Sequence, residues 1–221
     1  MPKTPQLHLA QNADADALLS KEPLALLIGM VLDQQIPLEH AFSSPRVLVD
    51  RLGHDLDAAD LAAYDEDKLG SIFATPPALH RFPGSMAKRV QDMCRQLVDK
   101  YGGDAAAVWR GATSGDELLA RIKALPGFGE QKARIFVALL GKQLGVQPPG
   151  WREAAGPYGE EGSRRSVADI TGPDSLLEVR AYKKEMKERR RRVRGRRTWS
   201  SRCEMTTRSS EPRSSPGYSS P

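Results

Sequence analysis

Residues 125–141 read LPGFGEQKARIFVALLG, and the fold follows from this stretch. Gly127 and Gly129 flank one apolar residue, Phe128. Glycine enters left-handed backbone without the Cβ penalty, so the run from Leu125 to Gly129 can close a tight hairpin. Helices are expected on both sides. Upstream, Ser114 can cap the amide of Glu117 in a capping box and open a helix that buries Leu118, Leu119, Ile122 and Leu125, until Pro126 stops it. Downstream, residues 130–144 bring Ile135, Phe136, Leu139 and Leu140 to one face. The spacing predicts a helix-hairpin-helix over about residues 115–144. Its main-chain amides, with the first unpaired amides of the second helix, converge on one point that the helix dipole makes an anion site. A DNA phosphate fits there, gripped without regard to base sequence, and Lys132 and Arg134 can assist.

Working outward, the other periodicities are helical too. Residues 85–101 place Met86, Val90, Met93, Cys94, Leu97, Val98 and Tyr101 on one stripe, with Lys88, Arg89, Asp92 and Arg95 opposite, and Gly102 and Gly103 end the run. Residues 24–34 are apolar nearly all round and read as a central buried helix. Shorter helices are expected at 37–45 and 57–73, with the acids between Asp55 and Asp67 capping and solvating them. Residues 46–52 (RVLVDRL) could pass for a strand but have no partner run. The fold class is therefore all-α. After Gly145 a Gly/Pro-rich stretch reads as a loop, and residues 166–187 return to a helical pattern. The expected organisation is a helical domain over 1–190 and a basic, Ser/Arg/Pro-rich, disordered tail over 191–221.

Composition narrows the partners. The 221 residues carry a net charge of +5, but residues 183–197 alone hold ten Lys or Arg against two Glu. With +1 more beyond residue 197, residues 1–182 carry −4. A globally basic DNA-binding surface is excluded, and DNA contact by the folded part must come from a local patch or from backbone donors. The Arg-rich run itself can add nonspecific DNA affinity. Two cysteines, Cys94 and Cys203, are too few for a cysteine-held iron-sulfur cluster, and His8, His40, His54 and His80 show no ligand spacing, so no metal and no cofactor are expected. The longest apolar run is too short to span a bilayer and no secretory signal is visible, which predicts a cytoplasmic protein without membrane partners.

Three segments share a resemblance: LLIGMVLDQQIP (26–37), SMAKRVQDMCRQLVDKYGGD (85–104) and the hairpin stretch itself. In that order and separation they resemble the HhH-GPD superfamily of base-excision DNA glycosylases, over roughly residues 22–145. The resemblance implies a two-lobed, all-α fold that contains the helix-hairpin-helix, in the branch without an iron-sulfur cluster. It also implies that the chain acts, as a monomer, on double-stranded DNA containing a damaged base.

Such enzymes turn the damaged nucleotide out of the duplex and cut its glycosidic bond, while a protein side chain fills the gap. The resemblance puts that wedge at Gln34 or Gln35, with Gln35 preferred, and DNA contacts at Leu125, Gly127, Phe128, Gly129 and Lys132. Strand-cleaving members carry a lysine in the second hairpin helix; here Gln131 stands in its place, which implies a monofunctional N-glycosylase without lyase activity. The family's catalytic aspartate is expected near residues 147–149, where no acid stands. Asp169, after the Gly/Pro-rich stretch, and Glu153, closer in sequence, are the candidates for activating water, with Asp33 beside the wedge a third. Trp151, Tyr158 and Phe128 are candidates for stacking on a flipped base, whereas Trp109 reads as core. If no acid serves, the alternative is a noncatalytic module that senses damaged or abasic DNA.

Overall fold

The computed structural model describes the backbone of residues 6–207, with side chains for residues 6–189 and for 191. Every regular element among them is helical. The Asn12 side chain accepts the amide of Ala15 and opens α1 (Ala13–Lys21), a helix with no expectation from sequence. Pro23 starts α2 (Pro23–Leu32), and residues 24–32 are all buried, as the apolar run predicts. In α3 (Leu38–Leu52) the stretch that could pass for a strand is helical. Phe42, Pro45, Leu48 and Val49 face inward at helical spacing, and left-handed Gly53 ends the turn.

The helix expected over 57–73 divides in two, because Asp57 and Asp65 each cap a separate start: α4 (Ala58–Ala63) and α5 (Glu66–Ala74). In α6 (Pro83–Tyr101) the predicted stripe of Met86, Val90, Met93, Cys94 and Leu97 is buried, and left-handed Gly102 stops it. After the short α7 (Ala107–Arg110), Ser114 caps α8 (Gly115–Lys123) by accepting the Glu117 amide at 3.2 Å. The Glu117 carboxylate accepts instead from Thr113 N–H and Oγ, so the reciprocal half of the capping box closes one residue early. The hairpin leads into α9 (Glu130–Gln143).

The segment read as a loop contains α10 (Trp151–Ala155), because Trp151 has a place to go: a Cβ on Gly141 of α9 would lie 2.3 Å from its ring. Finally comes α11 (Pro173–Thr207); Arg, Lys and Glu are good helix formers and no proline follows Pro173 in that span. Residues 208–221 of the expected tail lie outside the described residues.

Packing makes two groups around one apolar core. In the first, α4 and α5 pack on α6, and α1 and α2 pack on α3. The α2–α3 crossing depends on Gly29, whose Cβ would lie 2.8 Å from the Phe42 ring. In the second, α8, α9 and α10 pack on one another. The compact unit ends at Val179, and the second unit begins with Arg180. No helix among the described residues is long and apolar enough to cross a membrane.

The seat of residues 148–150 on α8 is tight. Gly115 donates its N–H to the Pro149 carbonyl at 2.8 Å, and a Cβ on Gly115 would stand 2.3 Å from the Gly150 carbonyl oxygen. The obstructing atoms are backbone and cannot rotate away. Gly115→Ala is expected to lower the unfolding free energy by about 1–3 kcal/mol, read from the urea midpoint at constant slope. An unchanged midpoint would show that this turn is not fixed against α8.

Candidate nucleic-acid interface

The hairpin closes through Phe128 N–H donating to the Leu125 carbonyl at 3.1 Å. Positive φ was expected at both glycines, but only Gly127 has it, at 90°; Gly129 is extended and serves as the N-cap of α9. Crowding explains the glycine at 127, where a Cβ would lie 3.0 Å from Arg89 Cδ and 3.3 Å from Val31 Cγ2. At Gly129 a Cβ would meet nothing, so the approach to the α9 amides is open there. Leu125 and Phe128 are 2% and 4% exposed, with Phe128 edge-on to Phe136. Their side chains anchor the hairpin in the core, and their amides close it, Leu125 donating to the Ile122 carbonyl at 3.0 Å and Phe128 to that of Leu125. The amides of residues 130–132 precede the first helical acceptor and have no partner within α9. Glu130 stands at this anion site, yet its carboxylate is bonded by Lys123 and Arg134, which hold its pKa down and neutralise it.

Lys132 departs from the expected phosphate-facing lysine. It turns inward, and its Nζ donates to the carbonyls of Met30 at 2.6 Å and Val31 at 3.1 Å, near the C-terminal end of α2. Helical geometry separates it from Gln131 by about 100°, and that rotation carries it to α2 while Gln131 points to the exposed side and donates to the Tyr158 hydroxyl. Burial, partly opposed by Asp33 and assisted by Arg89, holds the Lys132 pKa down at about 8.

The same end of α2 delivers the two glutamines, and the structure separates them. The Gln34 side chain is tied back, donating to the Val31 carbonyl at 2.9 Å and accepting from Arg89 at 3.3 Å. Gln35 is exposed and has a left-handed φ of 59°. Hairpin, Lys132, Asp33, Arg89 and the Gln34–Gln35 loop thus gather in one place. Arg89 was expected on the solvent face of its helix, but it is half-buried with its stem against Gly127. His80 and Phe82 also escaped notice: His80 is 2% exposed and bonded to Gln34, and Phe82 is 44% exposed at the start of α6. A buried histidine in the irregular segment before α6 has no periodicity to mark it.

The acids named for catalysis lie elsewhere. The Asp169 side chain is 4% exposed; one oxygen accepts from Lys142 at 2.6 Å, and the other from the amides of Arg165 and Ser166 and the hydroxyls of Ser163 and Ser166. It is a helix cap and the buried half of an ion pair with the partly exposed Lys142. Glu153 is exposed in a shallow depression shared with Glu160 and Glu161. At 147–149, Gln147 donates to the Gly141 carbonyl and Pro149 receives Gly115. Of the aromatic candidates, Trp151 and Phe128 are core, as is Trp109, and Tyr158 is half-buried beside Gln131.

Residues 28–194 match the HhH-GPD superfamily of base excision DNA repair proteins. The chain belongs to that superfamily. No curated protein and no solved structure matches it. As an HhH-GPD protein it binds DNA.

Two outcomes are expected. Asp169→Asn removes the charge opposite the partly buried Lys142 and is expected to lower the unfolding free energy by about 1–3 kcal/mol, checked by denaturant titration. For Lys132 the window follows from its pKa. Below about 8 both folded and unfolded chains hold the proton, whereas between about 8 and about 10.4 only the unfolded chain does, so stability rises with pH across that interval. Relative to Lys132→Met, the native chain is expected to gain about 2 kcal/mol of unfolding free energy between pH 7 and pH 10. Parallel pH profiles would put the ammonium in water.

Proposed function

We propose that this HhH-GPD protein is a monofunctional DNA N-glycosylase. It works as a single copy, in the compartment that holds the DNA, on a duplex containing a damaged base; it hydrolyses that base's N-glycosidic bond and leaves the strand intact. The observation that carries this reading is the meeting of the hairpin and the Gln35 loop at Lys132. In this reading the amides of Gly129 and the first turn of α9 hold a phosphate near the lesion, and Gln35, the exposed one of the two glutamines, fills the stack.

Cleavage develops positive charge on the deoxyribose, and a carboxylate beside it stabilises that charge and orients water. We assign this role to Asp33. It is half-buried, two residues before Gln35, and close enough to Lys132 to act on its charge. Asp169 is bonded to Lys142 near the end of α9 and Glu153 lies in the depression beside Glu160 and Glu161, both away from the Gln35 loop, so both support the reading less well than Asp33 does. The absence of lyase chemistry rests on two side chains. Gln131 carries no amine, and Lys132 would have to leave two carbonyls and lose a proton before it could attack a sugar aldehyde.

Base release from a panel of lesion-bearing duplexes tests this. Strand breaks are expected only after alkali, with no borohydride-trapped protein–DNA adduct. Asp33→Asn is expected to slow single-turnover release by about 10²–10³, whereas Glu153→Gln leaves it unchanged. A trapped adduct that disappears in Lys132→Met would instead identify a strand-cleaving enzyme. The missing acid at 147–149 favours one rival, a noncatalytic sensor, which predicts tight binding to abasic duplex and no release from any lesion.

A further inference from the structure

We infer that His80 is the positioning residue that sets the wedge: it holds the peptide bond between Gln34 and Gln35, and so fixes the direction in which Gln35 leaves the protein. The inference rests on the reading that Gln35 enters the DNA. The Gln34 carbonyl belongs to the peptide that precedes Gln35, and it accepts from His80 Nε2 at 2.8 Å. The other ring nitrogen, Nδ1, accepts the Phe82 amide at 3.0 Å. A carbonyl can only accept and an amide can only donate, so the two contacts select one tautomer, with the hydrogen on Nε2. The ring therefore holds one defined orientation.

Its mount is equally constrained. The Ala78 carbonyl accepts from His40 Nε2 at 2.9 Å. Leu79 donates to the Phe73 carbonyl at 2.9 Å and accepts from the Ser44 hydroxyl at 3.0 Å. Residues 78–82 thus form a strut pinned to α3 and to the end of α5, and His80 projects from it to the wedge loop. The loop needs such support. Gln35 holds a left-handed φ of 59°, a conformation that is strained for a non-glycine residue. Its neighbour Gln34 is tied back by its own side chain to Val31 and Arg89, so the peptide following it has its carbonyl on His80 and its amide leading to the exposed Gln35. Without the imidazole, the Gln34–Gln35 peptide is free to rotate and Gln35 relaxes from the left-handed conformation. The hairpin, held separately by Gly127 and Lys132, stays where it is.

The test reads wedge insertion without requiring catalysis. The probe is a duplex carrying 2-aminopurine beside a tetrahydrofuran abasic analogue; its fluorescence rises when the neighbouring stack is opened. The native full-length chain is expected to produce the rise, and Gln35→Ala to lose it. His80→Phe, which keeps the ring volume and removes donor and acceptor, is expected to lose most of the rise while its affinity for undamaged duplex stays unchanged. His80→Gln, which retains one donor and one acceptor, is expected to recover it in part. A rise lost in Gln35→Ala but kept in His80→Phe overturns this inference alone; a rise kept in Gln35→Ala overturns the wedge reading and the inference with it. Equal loss in His80→Phe and His80→Gln, with both folded, also overturns it. If His80→Phe does not fold, the imidazole nitrogen resonances of the native chain decide: a fixed Nε2–H tautomer is expected with and without DNA, and rapid exchange between tautomers refutes the inference.

Discussion

A half-buried ammonium on the last carbonyls of α2 joins that helix to the hairpin. Lys132 belongs to the first turn of α9, directly after the hairpin, and Met30 and Val31 belong to the helix that leads into the Gln34–Gln35 loop. Taking a charge out of water costs several kcal/mol, and its depressed pKa records that cost. What offsets it is geometry: two carbonyl acceptors, the negative end of the α2 dipole and the Asp33 charge. A methionine at this position would avoid the desolvation but would bond to neither carbonyl. The hairpin and the Gln34–Gln35 loop would then keep the packing of Gly127 against Val31 and Arg89 and the Arg89–Gln34 hydrogen bond, without a direct bond between α9 and α2. The retained charge is therefore best understood as the bond that fixes the distance between the hairpin and the Gln34–Gln35 loop.

The fold was legible where one rule acted alone. The stripe on α6, the Ser114 cap and the glycine stop at Gly102 depend on local geometry, and each stands where the pattern put it. It was illegible where two rules competed. Residues 46–52 satisfy both alternation and helical spacing, and their continuity with Phe42 decides for helix. Residues 151–155 look like loop because Gly and Pro surround them, and the bare surface of Gly141 that receives Trp151 cannot be read from composition. The site divides similarly. The helical wheel separates Lys132 from Gln131 correctly, but which of the two faces α2 is a property of packing, so the lysine expected to meet phosphate is the one that meets protein.

Chain order misled most at the acids. Asp169 follows the Gly/Pro-rich stretch in the place where a catalytic aspartate was sought, yet its lone pairs are consumed by Lys142, two amides and two hydroxyls. A carboxylate so engaged cannot also orient water, because each acceptor site used within the fold is one withdrawn from substrate. Sequence reports that an acid is present; only the surroundings report whether it has capacity left. The same test explains Glu130, which would repel a phosphate at the helix N-terminus if Lys123 and Arg134 did not hold it.

Gln35 supplies a last step. A left-handed residue in a turn is most cheaply a glycine, and this chain uses glycine in that role at 53, 102, 127 and elsewhere. At position 35 it carries a long amide side chain instead, at a conformational cost of roughly 1–2 kcal/mol. No burial compensates it, since the side chain is exposed. Strain of this kind persists only where the surroundings over-determine it, and here they do: Lys132 holds the helix before it, Arg89 and Val31 hold the side chain of Gln34, and His80 holds the intervening peptide. Three separate anchors around one exposed, strained glutamine are more than a helix end requires for stability. They are what a side chain needs if it is to meet a base stack always from the same direction.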